Sequence, residues 1–363
     1  MAQIPKYVSN ASAVDITTIL SPITMEFVKT STEPPFSGIV SYDVREIIGT
    51  INFVFLCGII SLFGIVANII NIIVFTMQGF AEDINISLLS LAISDLGSLM
   101  HLQWFSICLN PWFAQSGIPF RPSEIQSLTA GFPHICFTRI TGWITAFVAF
   151  ERCLCIAIPL KVKSIITRKL VITVNVMVFV IMFLSMIPVY TTAYYDWKFY
   201  PDVNRTLLGI LYTANKKEVL GISIFFTDFA GPFSSFAIVI VSTVIIRIKL
   251  RQKATWRQTA SNSAANSSSG ELPKKERKVV AMVTTISIIF IICFTPVSLL
   301  HSAEAIEPEF DIIGKYKNLN WILYSFGFLL EAFNSSINIF VYFRMSSKYQ
   351  EAFRRLFKIK VKA

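Results

Sequence analysis

Apolar residues in this chain gather into long, nearly unbroken blocks, separated by short stretches rich in Lys, Arg, Asn and Ser. A helix needs about 20 apolar residues to cross roughly 30 Å of hydrocarbon. Runs of that length recur at residues 49–77, 84–108, 125–157, 169–191, 219–249, 277–302 and 319–343. The pattern predicts an all-α protein with seven membrane-spanning helices, numbered here as spans 1 to 7. It divides the chain into a disordered segment at 1–47, a bundle at 48–343 and a tail at 344–363. No apolar run lies near Met1, so span 1 is expected to act as the targeting signal itself.

The bases between the blocks set an orientation, because cytoplasmic loops retain Lys and Arg. Arg152, Lys161, Lys163, Arg168 and Lys169 follow span 3, and a longer basic run from Arg247 to Lys278 joins spans 5 and 6. The tail adds Arg344, Lys348, Arg354, Arg355 and Lys358 on the same side. The opposite side carries few bases, and Glu304, Glu307, Glu309 and Asp311 form an acidic rim between spans 6 and 7. The amino terminus is therefore expected outside a plasma membrane, with the sequon residues Asn10 and Asn204 on the glycosylated face.

Composition agrees. The chain is 54% hydrophobic and only 15% charged, a balance that excludes an ordinary soluble domain. Its net charge of +10 reads as topology, since a nucleic-acid surface would not segregate bases to alternate loops. In the tail, Tyr349, Phe353, Leu356 and Phe357 share one helical face amid basic residues. That predicts a short amphipathic eighth helix on the inner leaflet of the lipid bilayer.

An ionisable group at mid-membrane costs about 2.5 to 3.5 kcal/mol and is by default a candidate functional residue. Asp95, Arg139, Asp228 and Glu331 fall inside spans, and His134 and His301 lie nearer their outer ends. Buried Asp95 has no Lys nearby in sequence and needs a cation, a proton or several hydrogen bonds. Pro188, Pro232 and Pro296 each remove a backbone hydrogen bond and are expected to bend their helices.

Asn68 in span 1, Leu91-Ala92-Ile93-Ser94-Asp95 in span 2 and Glu151-Arg152-Cys153 at the end of span 3 form one part of a pattern. Phe290 to Pro296 in span 6 and Asn334-Ser335-Ser336-Ile337-Asn338-Ile339-Phe340-Val341-Tyr342 in span 7 complete it. In this order and spacing the chain resembles the rhodopsin-like (class A) G-protein-coupled receptors. The resemblance implies a receptor that passes an extracellular signal to a heterotrimeric G protein. It implies that Glu151, Arg152, Glu276 and Tyr342 form the coupling switch, and that Phe290, Phe294 and Pro296 form a packing switch in span 6. It further implies an allosteric sodium ion held at Asp95 by Asn68, Thr141, Asn334 and Asn338, with no other cofactor.

The chain departs from the family at several positions. Ser127 stands where one half of a disulfide is usual, Phe294 replaces a Trp, and Ile339 replaces a Pro. His134 occupies the place of the amine-receptor Asp, which argues against a biogenic amine, and Ala332 that of the retinal Lys, so the resemblance is not to an opsin. The resemblance implies a remaining pocket of His134, Arg139, Asp228, His301 and Glu331, in which the family layout brings Arg139 and Asp228 close enough either to pair with each other or to contact ligand. A peptide would use the acidic rim, whereas a small chemosensory ligand would sit lower, near Arg139 and Glu331. The span-7 run is similar to peptide receptors, and the missing disulfide resembles invertebrate, especially molluscan, chemosensory receptors. A membrane transporter of an ion or small solute is the other class that buried acids allow. No triad, phosphate loop or metal-spaced cluster points to an enzyme.

Overall fold

The computed structural model describes residues 36–37, 39–216, 219, 229–261, 274–310 and 314–358. Asn10, Asp228, Asp311 and the side chain of Glu276 lie outside the described residues. Seven helices among them are long and apolar enough to cross a membrane. They are α1 (Tyr42–Gln78), α2 (Asp83–Cys108), α3 (Pro122–Ala157), α4 (Arg168–Thr192), α5 (Gly231–Ser261), α6 (Lys274–Ile306) and α7 (Lys317–Met345), followed by the short α8 (Ser347–Leu356).

The first helix starts at Tyr42, ahead of the apolar block, because the Ser41 side chain accepts from the Val44 amide and caps it. It ends at Gly79, whose φ of +71° suits a residue without a Cβ. Span 4 is broken at Met186, and Pro188 sits in the first turn of the piece that follows, where its missing N–H costs nothing. Pro296 instead lies inside a helix that continues to Ile306.

The outer face is apolar, and the interior is an apolar core threaded by buried polar groups. Ile59, Val66, Ile181, Leu184, Ile292 and Leu299 are exposed on the flanks of the bundle. Asn68, Ser94, Asp95, Ser98, Thr141 and Asn338 are buried between helices. A soluble protein could not hold this arrangement, whereas lipid covers the outer face at no cost and every inner polar group must find a partner. Helix α1 meets α7 closely at Gly64, where a Cβ would come within 2.1 Å of Ser336 Oγ.

Two hairpins decorate the outer end. Strands β1 (Phe36–Ser37) and β2 (Val40–Ser41) lead into α1. The larger hairpin, β3 (Ala193–Tyr200) with β4 (Arg205–Tyr212), fills the connection after α4 and is antiparallel throughout. Its turn holds Asn204, exposed and at φ +50°, so that sequon projects from the tip.

The hairpin is pinned to the start of α3 by Glu124. One carboxylate oxygen accepts from Tyr200 Oη at 2.8 Å. The other accepts from the Ile210 amide at 2.8 Å and from Lys198 Nζ at 2.9 Å. Burial, then the Glu124 carboxylate, pushes the Tyr200 phenol up from its usual range. Arg121 pairs with Asp202 at 2.8 Å, and Leu208 bonds through its backbone to Pro119 and Arg121. All six cysteines are free, so polar contacts hold the hairpin where a disulfide would otherwise serve. Glu124→Ala is expected to cost about 2 kcal/mol locally and to speed amide exchange at Ile210 about thirtyfold. A reductant should leave the same amide untouched. Unchanged exchange in the variant would refute this pinning.

Candidate functional site

Three polar clusters stack down the interior, each built from helices that turn a polar position inward. The uppermost joins α2, α3 and α7. His134 Nε2 lies 3.2 Å from Glu331 Oε2, and His134 Nδ1 lies 3.0 Å from both the hydroxyl and the carbonyl oxygen of Ser98. Ser98 Oγ also meets Thr138 Oγ1 at 3.0 Å. A carbonyl oxygen can only accept, so Nδ1 carries a hydrogen. The contact from Nε2 to the carboxyl oxygen then needs one proton between them, held by the ring or by Glu331. The imidazole is fully buried and stacks on Phe328 at 5.0 Å.

Aromatic rings roof this pair. Phe53 packs against Trp321 at 4.8 Å and Phe105 at 5.3 Å, and Phe105 stacks on Phe328 at 5.3 Å. Above the roof opens a cavity of about 340 Å³, floored by Phe53, Cys108 and Trp321, with Arg121, Asp202 and Arg205 at its rim.

Arg139 and His301 belong to a neighbouring cavity that reaches down to Phe290 and Phe294. These two rings stack at 4.3 Å, one helical turn apart below Pro296. Arg139 is buried, and its pairing with Asp228 lies outside the described residues. His301 is occupied by Tyr324 Oη at 3.2 Å and Glu304 at 3.4 Å. Glu304 also accepts from Asn320 at 2.6 Å and Tyr324 at 2.7 Å and is buried. The expected acidic rim is corrected on this point: Glu304 faces inward because three donors converge on it there. The interior pocket thus brings together His134 with Glu331, and Arg139 with His301, as two separate groups.

The middle cluster surrounds Asp95, which has no exposed surface. Oδ1 accepts from Thr141 Oγ1 at 2.9 Å, and Oδ2 accepts from Asn338 Nδ2 at 2.9 Å. Ser335 supplies a further hydrogen bond, and Ser94 lies 2.9 Å from the Thr141 hydroxyl. Thr141, Asn338 and Ser335, its hydrogen-bond partners, are all neutral. Asn68 does not reach Asp95; its amide donates to Gly64 O at 2.9 Å and Ser335 O at 2.8 Å. Asn334 is buried on α7 and makes no hydrogen bond to Asp95.

From Asn68 the contacts run on to the inner end. Asn71 Nδ2 donates to Asn68 Oδ1 at 3.2 Å, and Tyr349 Oη donates to Asn71 Oδ1 at 2.6 Å. Tyr349 is almost fully buried although it sits on α8, and burial raises its phenol above the usual range. Its ring packs on Phe75 and Tyr342, both at 5.6 Å. One polar chain therefore ties the amphipathic helix to the Asp95 core.

At the inner end of α3, Arg152 Nη2 donates to Glu151 Oε1, with both side chains largely buried. Lys348 of α8 pairs with Glu82 in the α1–α2 connection. Glu124, Ser98, Thr138 and Asn71 join these contacts too, although in the sequence each is only a polar residue among apolar neighbours, and Ser335, part of the span-7 run, meets Asp95 as well. Among the described residues, no three His, Cys, Asp or Glu side chains converge as a metal-binding group.

Residues 67–342 match the family described as 7 transmembrane receptor (rhodopsin family). No curated protein matches the chain.

Proposed function

Because the chain belongs to the rhodopsin family of seven-transmembrane receptors, we propose that it carries an extracellular chemical signal, a peptide or a small chemosensory molecule, to a heterotrimeric G protein. It is a multi-pass membrane protein with a receptor's role in signalling. The proposal adds the plasma membrane as its site, an external amino terminus, and ligand entry through the outer cavity. A volume of about 340 Å³ with an apolar floor and a few polar groups suits a small molecule or the end of a peptide.

The observation that carries the reading is the stack of buried polar contacts from His134 and Glu331 through Asp95 to Tyr349. Polar interiors of this kind have discrete hydrogen-bonded arrangements, and a shift in one cluster forces repacking in the next. A ligand pressing on the roof of Phe53, Trp321 and Phe328 bears on His134. Movement at Arg139 and His301 reaches Phe290 and Phe294, and Pro296 weakens the helix at that level. Below, Arg152 leaves Glu151 to meet the G protein, and Glu276 is the acid on α6 assigned to hold it at rest.

A sodium ion at Asp95 is part of the proposal. A buried carboxylate bonded to neutral side chains, beside the Ser94, Thr141 and Ser335 hydroxyls, fits a small monovalent cation. Bound there, the ion would supply the missing positive charge.

Cells expressing the chain with reporter G proteins, screened with peptide and small-metabolite libraries, test the function. A ligand should trigger G-protein dissociation, and Arg152→Ala should weaken it about 100-fold. Solute uptake on expression, with no ligand-driven dissociation, would favour a transporter instead.

A further inference from the structure

The β3–β4 hairpin keeps to the level of the helix ends. The 25 residues of α4 cover about 37 Å of helix against roughly 30 Å of hydrocarbon, so Thr192 and the start of β3 stand in the headgroup layer. Glu124, at the start of α3, holds both strands. The turn residues Asp202 and Arg205 line the outer cavity together with Phe53 of α1 and Cys108, the last residue of α2. Root, middle and tip are thus each tied to the outer end of a span.

The two faces of the hairpin differ in charge. Side chains alternate along a strand, and cross-strand partners share a face. One face carries Tyr195, Trp197 and Phe199 opposite Ile210, Leu208 and Thr206, and no charged residue of either strand falls on it. Asp196, Lys198 and Arg205 all fall on the other. The uncharged face is nevertheless bare: Trp197 and Phe199 are each 60% exposed and Tyr195 is 44% exposed. At its root this stripe meets the lipid-covered flank of the bundle. The Tyr195 phenol is near enough to Tyr190 of α4 to interact with it electrostatically. Tyr190 lines a groove on that flank with Phe183 and Ile187, and all three are exposed. A docking patch for a protein would be ringed by polar and charged residues, whereas this one runs on into an apolar helix flank. Trp and Tyr favour the headgroup layer because their rings have an apolar body and a polar edge.

We propose that the uncharged face of the hairpin is a membrane anchor, seated in the headgroup layer of the surrounding leaflet by Trp197 and Phe199, with Tyr195 at the seam with α4. The turn lines the outer cavity, so the bilayer holds one wall of that cavity in place. The anchor requires only the membrane-spanning fold, not the ligand or the G protein proposed above.

Fluorescence of the purified full chain in phosphatidylcholine nanodiscs tests it. The emission of the parent minus that of Trp197→Phe, a conservative change at an exposed site, isolates Trp197. Phosphatidylcholine brominated near the glycerol end of its chains should quench that signal by about half, and iodide, which stays in water, by less than about a tenth. Asp196→Trp combined with Trp197→Phe, read against Trp197→Phe alone, moves the ring to the other face, where iodide should quench it and the brominated lipid should not. Quenching of Trp197 by iodide and not by the lipid would put the stripe in water, bare or reserved for a protein, and would overturn the inference. Equal quenching by the lipid at positions 196 and 197 would overturn it as well, because the two faces would then not differ in what they touch.

Discussion

Glu331→Leu is expected to destabilise the bundle by about 3 kcal/mol, because it strands His134 in a site with no exposed surface. The ring nitrogen at 3.2 Å from Glu331 loses its partner, and the stack on Phe328 keeps it from turning to water. Glu331→Gln behaves differently. With Nδ1 directed at the Ser98 carbonyl, Nε2 is free to accept, and a glutamine amide can donate to it. That variant should stay within about 1 kcal/mol of the parent. The double change His134→Leu with Glu331→Leu should recover most of the loss, since no buried polar group is left without a partner. Thermal unfolding of the parent, Glu331→Leu, Glu331→Gln, His134→Leu and the double variant checks these values, and four of them close the cycle. A loss of the full amount, about 3 kcal/mol, in the Gln variant would mean that an amide cannot replace the carboxyl, and no loss in the Leu variant would mean that the contact contributes nothing.

Asp95→Asn should remove the response of basal signalling to sodium while leaving the bundle folded. The asparagine keeps an oxygen for Thr141 or Asn338 but no negative charge for a cation. In the parent, replacing sodium with a large organic cation should raise ligand-independent G-protein activation, with a change of about tenfold. In Asp95→Asn the two salts should give the same rate. A parent protein indifferent to sodium would sink the ion proposal and leave Asp95 as the centre of a purely hydrogen-bonded cluster.

The seven spans were legible because lipid demands an uninterrupted apolar block, and each block stands out without knowledge of its neighbours. The eighth helix was legible for a related reason, since Tyr349, Phe353 and Leu356 recur on one face. The hairpin over the outer end was not. Its strands are short and aromatic, they sit in a connection, and their register depends on Glu124 some seventy residues earlier in the chain. Contacts between spans were harder still. A buried acid announces that it needs a partner, but which partner depends on the rotation of two helices. Glu331 therefore read as a ligand group before its meeting with His134 was seen, and Glu304 read as surface before Asn320 and Tyr324 turned it inward. Asn68 stands in the family pattern beside Asp95, yet here its amide ties α1 to α7, and a tyrosine at 349 extends the polar chain into α8.

The account rests on an outer cavity coupled to an inner cleft that opens between α3 and α6. Spin labels at Ala157 and Arg277, exposed positions at the inner ends of those helices, report that cleft directly. On adding a nucleotide-free reporter G protein, the distance between them should lengthen by about 5 Å or more. A distance that stays the same while the G protein is bound would contradict the account.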